Sequence, residues 1–397
     1  MRALVTTIGS LGDLHPLLAI AFELKRRGHT VVFGTSTNFR RIVESVGLPF
    51  GLVRPERNFF QPGYGFEAFQ DYIEPHMGAM YDDLVGLSSK IDVLVSTPLM
   101  APAPILAARR EISFFDVLLA PPLIAAGPLP EHLRYLGGEN LPLVRQAQFI
   151  KRGTAMLAAF CRSRQIDTLA ARARPLVNLY AFPKLMSGTL AEKPGRTKFV
   201  GACVFEETGS GLAPPLLEFL DKGEPPVVFT LGSTAVHAVG PTFYETAQTA
   251  LRQLGLRGVF LTGSDNDPRP TDARDEAVYS CAYAPHGPLF LRARVVVHHA
   301  GMGTLVHAMR AGIPSLSIPF VFDQPWTALL AERLGVARVL APRDYGVESL
   351  ALELSALVQD ERYRKRARAL APILVSENGA KNSCDEIEKQ VRANQIA

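Results

Sequence analysis

The chain has 397 residues, 47% hydrophobic and 20% charged, the balance of a globular protein long enough for two domains of ordinary size. Its 42 basic and 38 acidic residues give a net charge of +4, too even to argue for nucleic acid as a partner. The four cysteines, at 161, 203, 281 and 384, form no CxxC pair, which suggests a reducing compartment and no disulfide framework.

ALVTTI, near the N-terminus, is a short apolar strand running into the turn GSLGDLHP, and it lacks the long apolar segment of a signal peptide. LLAIAFELKRRG has helical spacing, with Leu17, Ile20, Ala21 and Leu24 on one face, and Gly28 ends it. HTVVFGT is the next strand and IDVLVSTP, at 91–98, a further one. Short strands alternating with helices predict a parallel, doubly wound sheet. The greasiest stretch, VLLAPPLIAAGPLP from Val117, is too short for a membrane span and is broken by prolines. A cytoplasmic protein is expected, with peripheral membrane contact left open.

Residues 206–226 are rich in Gly, Pro and acid and are read as a linker between domains at 1–205 and 227–375. Beyond it the alternation restarts: VVFTLGST, YETAQTALRQLG, GVFLTGS, ARVVVHHAG, TLVHAMRAG, PSLSIP and TALLAERLG. Ligands of such sheets bind beyond the carboxyl ends of the strands. The turns Gly9–Gly12 and Gly232–Ser233 stand at those ends, facing a cleft.

HHAGMGTLVHAMRAG, from His298, takes a strand through two imidazoles into a glycine turn and a helix. Gly301 and Gly303 let the backbone approach a ligand closely. The first amides of the helix have no intrahelical partner and carry its positive dipole end, which suits phosphate. Thr304 adds a hydroxyl, His299 a donor, and His307 lies one turn further on the same face. Taken alone, the turn is also compatible with an ordinary strand-to-helix connection with packed histidines. Zinc on His286, His298, His299 and His307 fits no tetrahedral spacing, so no metal is expected.

The surroundings decide. Tyr283-Ala284-Pro285-His286 precedes the His pair and Asp323-Gln324 follows it. This arrangement, from Tyr283 to Gly335, resembles the nucleotide-sugar-binding signature of the UDP-glycosyltransferase family. That signature runs aromatic-Ala-Pro-Gln, His-x-Gly-x-x-Ser/Thr and Asp/Glu-Gln, and here His299-Ala300-Gly301-Met302-Gly303-Thr304 fills the middle part. The texture is similar to bacterial rhamnosyltransferases and sterol glucosyltransferases, which share the GSxGDxxP N-terminus. The resemblance covers essentially the whole chain.

The resemblance implies an α/β protein of GT-B fold, two Rossmann-like doubly wound domains facing a cleft, with residues 376–397 returning as a helix to the N-terminal, acceptor-binding domain. It implies that Tyr283 stacks on the nucleobase and that the Ala284 backbone reads the base edge. His299, Gly303, Thr304 and Ser233 would hold the diphosphate; Asp323 and Gln324 would bind the donor sugar. The donor is a UDP- or dTDP-sugar, and no cofactor is expected beside it. Two departures stand out. Tyr283 replaces Trp, and His307 replaces a Glu that grips the ribose hydroxyls, a change that fits a deoxyribose. For His307 a helix-face residue with no ligand remains the alternative.

Asp13 aligns with the family's catalytic position and would take the acceptor's hydroxyl proton; its alternative role is a helix cap before Pro16. His15 competes as the base. The second acid of the plant relay has no counterpart, since its region offers Ser96 and Thr97. NFFQPGYGFEAFQDYIEPHMGAMY and FFDVLLAPPLIAAGPLP could line a pocket for a lipophilic acceptor such as a sterol or polyketide, or could simply be core. ERYRKRARALA, from Glu361, is either a solvated basic helix face or a lipid contact. The reading is an inverting, metal-independent glycosyltransferase. A nucleotide-sugar epimerase of the same fold and a non-catalytic partner of another transferase are the alternatives. The sequence leaves the oligomeric state open.

Overall fold

The computed structural model describes residues 1–56, 72–121, 141–167, 175–205, 211–236, 239–263 and 276–396. The first sheet has seven strands: β1 (Arg2–Thr6), β2 (Thr30–Thr35), β3 (Phe50–Leu52), β4 (Val93–Ser96), β5 (Ser113–Leu118), β6 (Val177–Tyr180) and β7 (Thr197–Phe199), in the order β3-β2-β1-β4-β5-β6-β7. The second has six: β8 (Val227–Thr230), β9 (Gly258–Leu261), β10 (Val278–Cys281), β11 (Val295–His298), β12 (Ser315–Ser317) and β13 (Ala337–Val339), in the order β10-β9-β8-β11-β12-β13. Every pairing is parallel. The chain reverses its direction of winding between β1 and β4 and again between β8 and β11. Those two switch points are where an open parallel sheet leaves a crevice.

Strands buried on both faces need apolar runs on both, and the cores show this. On one face of the first sheet Ala3, Val5, Val95 and Phe115 pack under helix α1 (Leu11–Arg26). On the other, Leu4, Leu94 and Phe114 pack with Met77, Met80, Tyr81, Met156 and Phe160. The second sheet is covered likewise. A further cluster joins the domains: Tyr180, Phe182 and Met186 of the first meet Leu305 and Met309 of helix α2 (Met302–Arg310), Trp326 and Leu329 of helix α3 (Gln324–Arg333), and Leu370 and Leu374 of helix α4 (Glu361–Ser376). Each large side chain fully buried there contributes about 1.5–3 kcal/mol, so this cluster is a strong determinant of how the domains face each other.

Helix α5 (Gly379–Ile396) returns to the first domain. Its Cys384, Ile387 and Val391 sit in the core beneath α1. Glu388 pairs with Arg27 at 3.2 Å and with His29 at 2.8 Å, and Asn382 donates to the Val200 carbonyl. The expected linker, 206–226, is only partly a connection. A helix, Pro214–Asp221, lies inside it, and Leu212, Leu216 and Leu220 pack into the second domain beside Val228, Val259 and Phe290. Leu216 and Leu220, four apart, share one face of that helix, with Leu212 just ahead of it, a signal masked by the flanking Gly and Pro.

Among the described residues no helix is long and apolar enough to cross a membrane. The basic residues of α4 are largely engaged within the chain: Arg362 with Asp360, Lys365 with Glu361, Arg364 with the Arg294 carbonyl and Arg366 with that of Leu334. Of the two stretches expected to line an acceptor pocket, residues 58–71 and 122–130 lie outside the described residues. Within the described parts, Met77, Met80, Tyr81, Phe114, Phe115 and Val117 are core.

Candidate active site

The turn after β1 is built around Asp13. Ser10 caps α1, its Oγ accepting from Gly12 N at 3.1 Å. The backbone N–H and the hydroxyl of Ser10 donate to Asp13 Oδ2, at 2.8 and 2.9 Å. Gly9 has φ +123°, and a Cβ there would lie 2.5 Å from the same oxygen. Two requirements thus fix one glycine: the backbone conformation and the closeness of the carboxylate. Capping and N–H donation favour the charged carboxylate, and burial disfavours it. Burial wins: the Asp13 pKa rises to about 6, opposed by the two Ser10 bonds and helped by the negative charge of Asp323. His15, two residues on, lies with its ring 5.6 Å from that of Phe205, and burial pushes its pKa down to about 4.

The facing half comes from the turns after β8 and β11. His298 closes β11, and its Nδ1 accepts from the Ala300 amide at 3.1 Å. Ala300 holds φ +64°, a left-handed conformation that costs a residue with a Cβ about 1–2 kcal/mol. Phe322, just before Asp323, holds φ +58°. Such strain collects where geometry is needed for function. The His299 ring is wedged between two glycines. A Cβ on Gly301 would lie 2.2 Å from its Nε2, and one on Gly232 2.5 Å from its Cε1. Gly301 also caps α2, with Thr304 buried in the first turn. A Cβ on Gly303 meets nothing within 4 Å, so its backbone borders open space.

His286 stacks on Phe290 at 4.8 Å and meets the His307 ring edge-on at 5.7 Å. Tyr283 is 60% exposed, 6.5 Å from His286. The Ala284 side chain is buried in the core. Asp323 is half-buried, held at 3.4 Å by the Thr327 hydroxyl, and burial raises its pKa. Gln324 is committed locally: its Oε1 accepts from Phe320 N at 2.8 Å and Val321 N at 3.0 Å, so it shapes the loop that presents Asp323.

The halves meet. Leu11 N, at the start of α1, donates to Ser233 Oγ at 3.3 Å across the cleft. Asp13 feels Asp323, and His286 and His307 both feel His15. Burial pushes the pKa values of His286 and His298 to about 3, and those of His299 and His307 to about 4. These low values favour the neutral form of each ring at neutral pH. Among the described residues no His, Cys, Asp or Glu side chains are grouped so as to hold a metal ion.

The sequence motifs thus converge on one cleft, with Tyr283 at its exposed margin. Missing from them were Ser10 and the strained Ala300 and Phe322. Ser10 was findable, since Ser-x-x-Asp ahead of an apolar helix is a capping-box signature. The left-handed residues carry no sequence signal, being neither Gly nor Asn.

Known proteins share this architecture. Residues 3–75 match the glycosyltransferase family 28 N-terminal domain, and residues 265–393 match the Erythromycin biosynthesis protein CIII-like C-terminal domain. The chain is 28% identical to O-mycaminosyltylonolide 6-deoxyallosyltransferase of Streptomyces fradiae, over 98% of this chain and 97% of that one. It is 25% identical to a sterol 3-beta-glucosyltransferase of Arabidopsis thaliana, covering 96% of this chain and 64% of that protein. Among solved structures, the glycotransferase of kitacinnamycin superposes with a TM-score of 0.75 at 22% identity, over 98% of both chains. The glycosyltransferase VinC, in complex with dTDP, superposes with a TM-score of 0.70 at 17% identity over the whole of both chains. With matched domains at both ends, full-length relatives and two parallel sheets meeting at their switch points, the chain belongs to the UDP-glycosyltransferase family, the family-one glycosyltransferases of GT-B fold.

Proposed function

We propose that the chain moves a sugar from a UDP- or dTDP-sugar to a hydroxyl of a lipophilic small molecule, of the sterol or polyketide kind, by an inverting, metal-independent displacement. The observation that carries this is Asp13, a carboxylate of pKa about 6 at the start of α1, within reach of the charge of Asp323 and two residues from Leu11, which bonds Ser233. A general base works best with a pKa near the operating pH. At pH 7 Asp13 is mostly ionised and still basic, whereas His15, at about 4, is a weaker proton acceptor.

In this reaction Asp13 takes the acceptor's proton as the oxygen attacks the anomeric carbon. The anomeric C–O bond to the diphosphate breaks, and its electron pair leaves with the nucleoside diphosphate. The amides at the start of α2, Thr304, Ser233 and the His299 ring stabilise the charge that develops there. Asp323 holds sugar hydroxyls, with Gln324 bracing its loop. His307, standing where a carboxylate would accept two ribose hydroxyls, suits a deoxyribose and so a dTDP donor. The names of the relatives and the dTDP bound to VinC support the donor and acceptor classes.

The test is thermal stabilisation by UDP and dTDP in EDTA, followed by nucleotide release with UDP- and dTDP-sugars and a panel of lipophilic alcohols. Asp13→Asn should keep donor affinity and lose turnover; full turnover in that variant overturns the assignment of the base.

A further inference from the structure

On β5 the side chains alternate. Phe115 and Val117 belong to the core under α1 and α5, while Phe114 faces the opposite core; Asp116 follows Phe114 by two and shares its face. Strand register sets Thr6, Ser96 and Asp116 side by side on β1, β4 and β5, each two residues beyond Leu4, Leu94 and Phe114 on that face. Thr6 and Ser96 are the last residues of their strands, so this polar row lies at the carboxyl ends, where the Asp13 turn also lies. Leu99, just past β4, comes within 3.1 Å of a Cβ placed on Gly9, beside the Asp13 carboxylate.

Thr6 is satisfied, donating to the Gly34 carbonyl at 2.9 Å. Its two neighbours are not. Ser96 is fully buried with Oγ unpartnered, and Asp116 Oδ1 is buried and unpartnered. Buried polar groups ordinarily find partners, and a buried charge ordinarily finds a counter-charge. Two adjacent orphans on one face need a common occupant. Burial pushes the Asp116 pKa up to about 7, opposed by a hydrogen bond from the Val117 amide, and no charge among the described residues acts on it. A serine or asparagine would serve as well for binding a neutral hydroxyl. A carboxylate with no basic partner among the described residues is matched by a cation brought by the ligand.

We propose that Asp116 and Ser96 form a subsite for a protonated amine carried by the acceptor. The ammonium donates to Asp116 Oδ1 and to Ser96 Oγ. Ser96 and Asp116 lie on the first and second strands beyond β1, whose carboxyl end leads into the Asp13 turn, so the favoured acceptor carries its amine apart from the hydroxyl presented to Asp13. This rests on the proposed acceptor-binding role of the first domain.

The test uses two matched probes, 4-(aminomethyl)biphenyl and 4-biphenylmethanol, titrated calorimetrically into the intact protein saturated with dTDP. The amine should bind at least about tenfold more tightly than the alcohol, the range of a hydrogen bond to a charged group. Asp116→Asn should erase that preference and Ser96→Ala reduce it, with dTDP affinity unchanged as the check on folding. Equal affinity of the two probes, no binding of either, or an amine preference surviving in Asp116→Asn overturns the subsite. The donor and base assignments are read separately, from dTDP binding and from turnover in Asp13→Asn, and stand or fall without it.

Discussion

The backbone amide of Leu11 donates to the hydroxyl of Ser233, 222 residues further along the chain, at 3.3 Å. One group is the first free N–H of α1; the other follows the first strand of the second domain. A serine hydroxyl can accept one hydrogen bond and donate another. Ser233 therefore keeps a hydroxyl proton to donate while it holds the first domain, and in the proposed reaction that proton goes to a donor phosphate.

Ser233→Ala removes both bonds. The expected result is a donor KM raised about tenfold, the loss typical of a hydrogen bond to a charged group, with little change in melting temperature. Ser233→Thr keeps a hydroxyl and should recover part of the loss. Steady-state kinetics with dTDP binding measured alongside check this; an unchanged KM in the alanine variant would show that the hydroxyl does not touch the donor.

The pH dependence follows from Asp13. Its active form is the carboxylate, so activity switches on as pH rises through its pKa of about 6 and falls away below it. The acid limb of kcat/KM should show that value. Ser10→Ala removes a hydrogen bond that favours the charged form, so the limb should move to higher pH, with about 1 kcal/mol of stability lost with the cap. Asp13→Asn should lower turnover about 10²- to 10⁴-fold.

Gly301 and Gly303, two residues apart, make a contrast. Gly301→Ala would drive a methyl into the His299 ring, since its Cβ falls 2.2 Å from Nε2. Donor affinity and stability should fall together. Gly303→Ala meets nothing within 4 Å, so the empty protein should melt normally, yet donor affinity should drop because the methyl occupies the approach to the α2 amides. Melting curves with and without dTDP separate the two cases.

Gln324→Ala orphans the Phe320 and Val321 amides, which Oε1 now satisfies. About 2 kcal/mol of stability should go with them, seen as a lower melting temperature without any ligand. Gln324→Glu retains an acceptor and should preserve most of that stability. If Gln324→Ala melted like the native protein, the side chain would be serving the sugar alone.

The alternation of short apolar runs with helical patterns predicted both parallel sheets, because periodicity is local and survives in a single sequence. The glycine turns predicted where the cleft opens, and the His-Gly-Thr and Asp-Gln motifs marked its second wall, because ligand chemistry at strand ends needs those residue types. Three things were decided only by folding. Asp13 is at once a cap and a carboxylate of raised pKa; its hydrogen bonds are local, but burial in the folded protein outweighs them, and Asp323 of the second domain adds its charge. The site histidines have lowered pKa values because the folded cleft buries them. Asp116 looked like part of a greasy strand, and only the register set its buried Oδ1, without a partner among the described residues, beside the Ser96 hydroxyl. Desolvation and cross-strand neighbours depend on segments far apart in the chain, so no stretch of sequence carries them by itself.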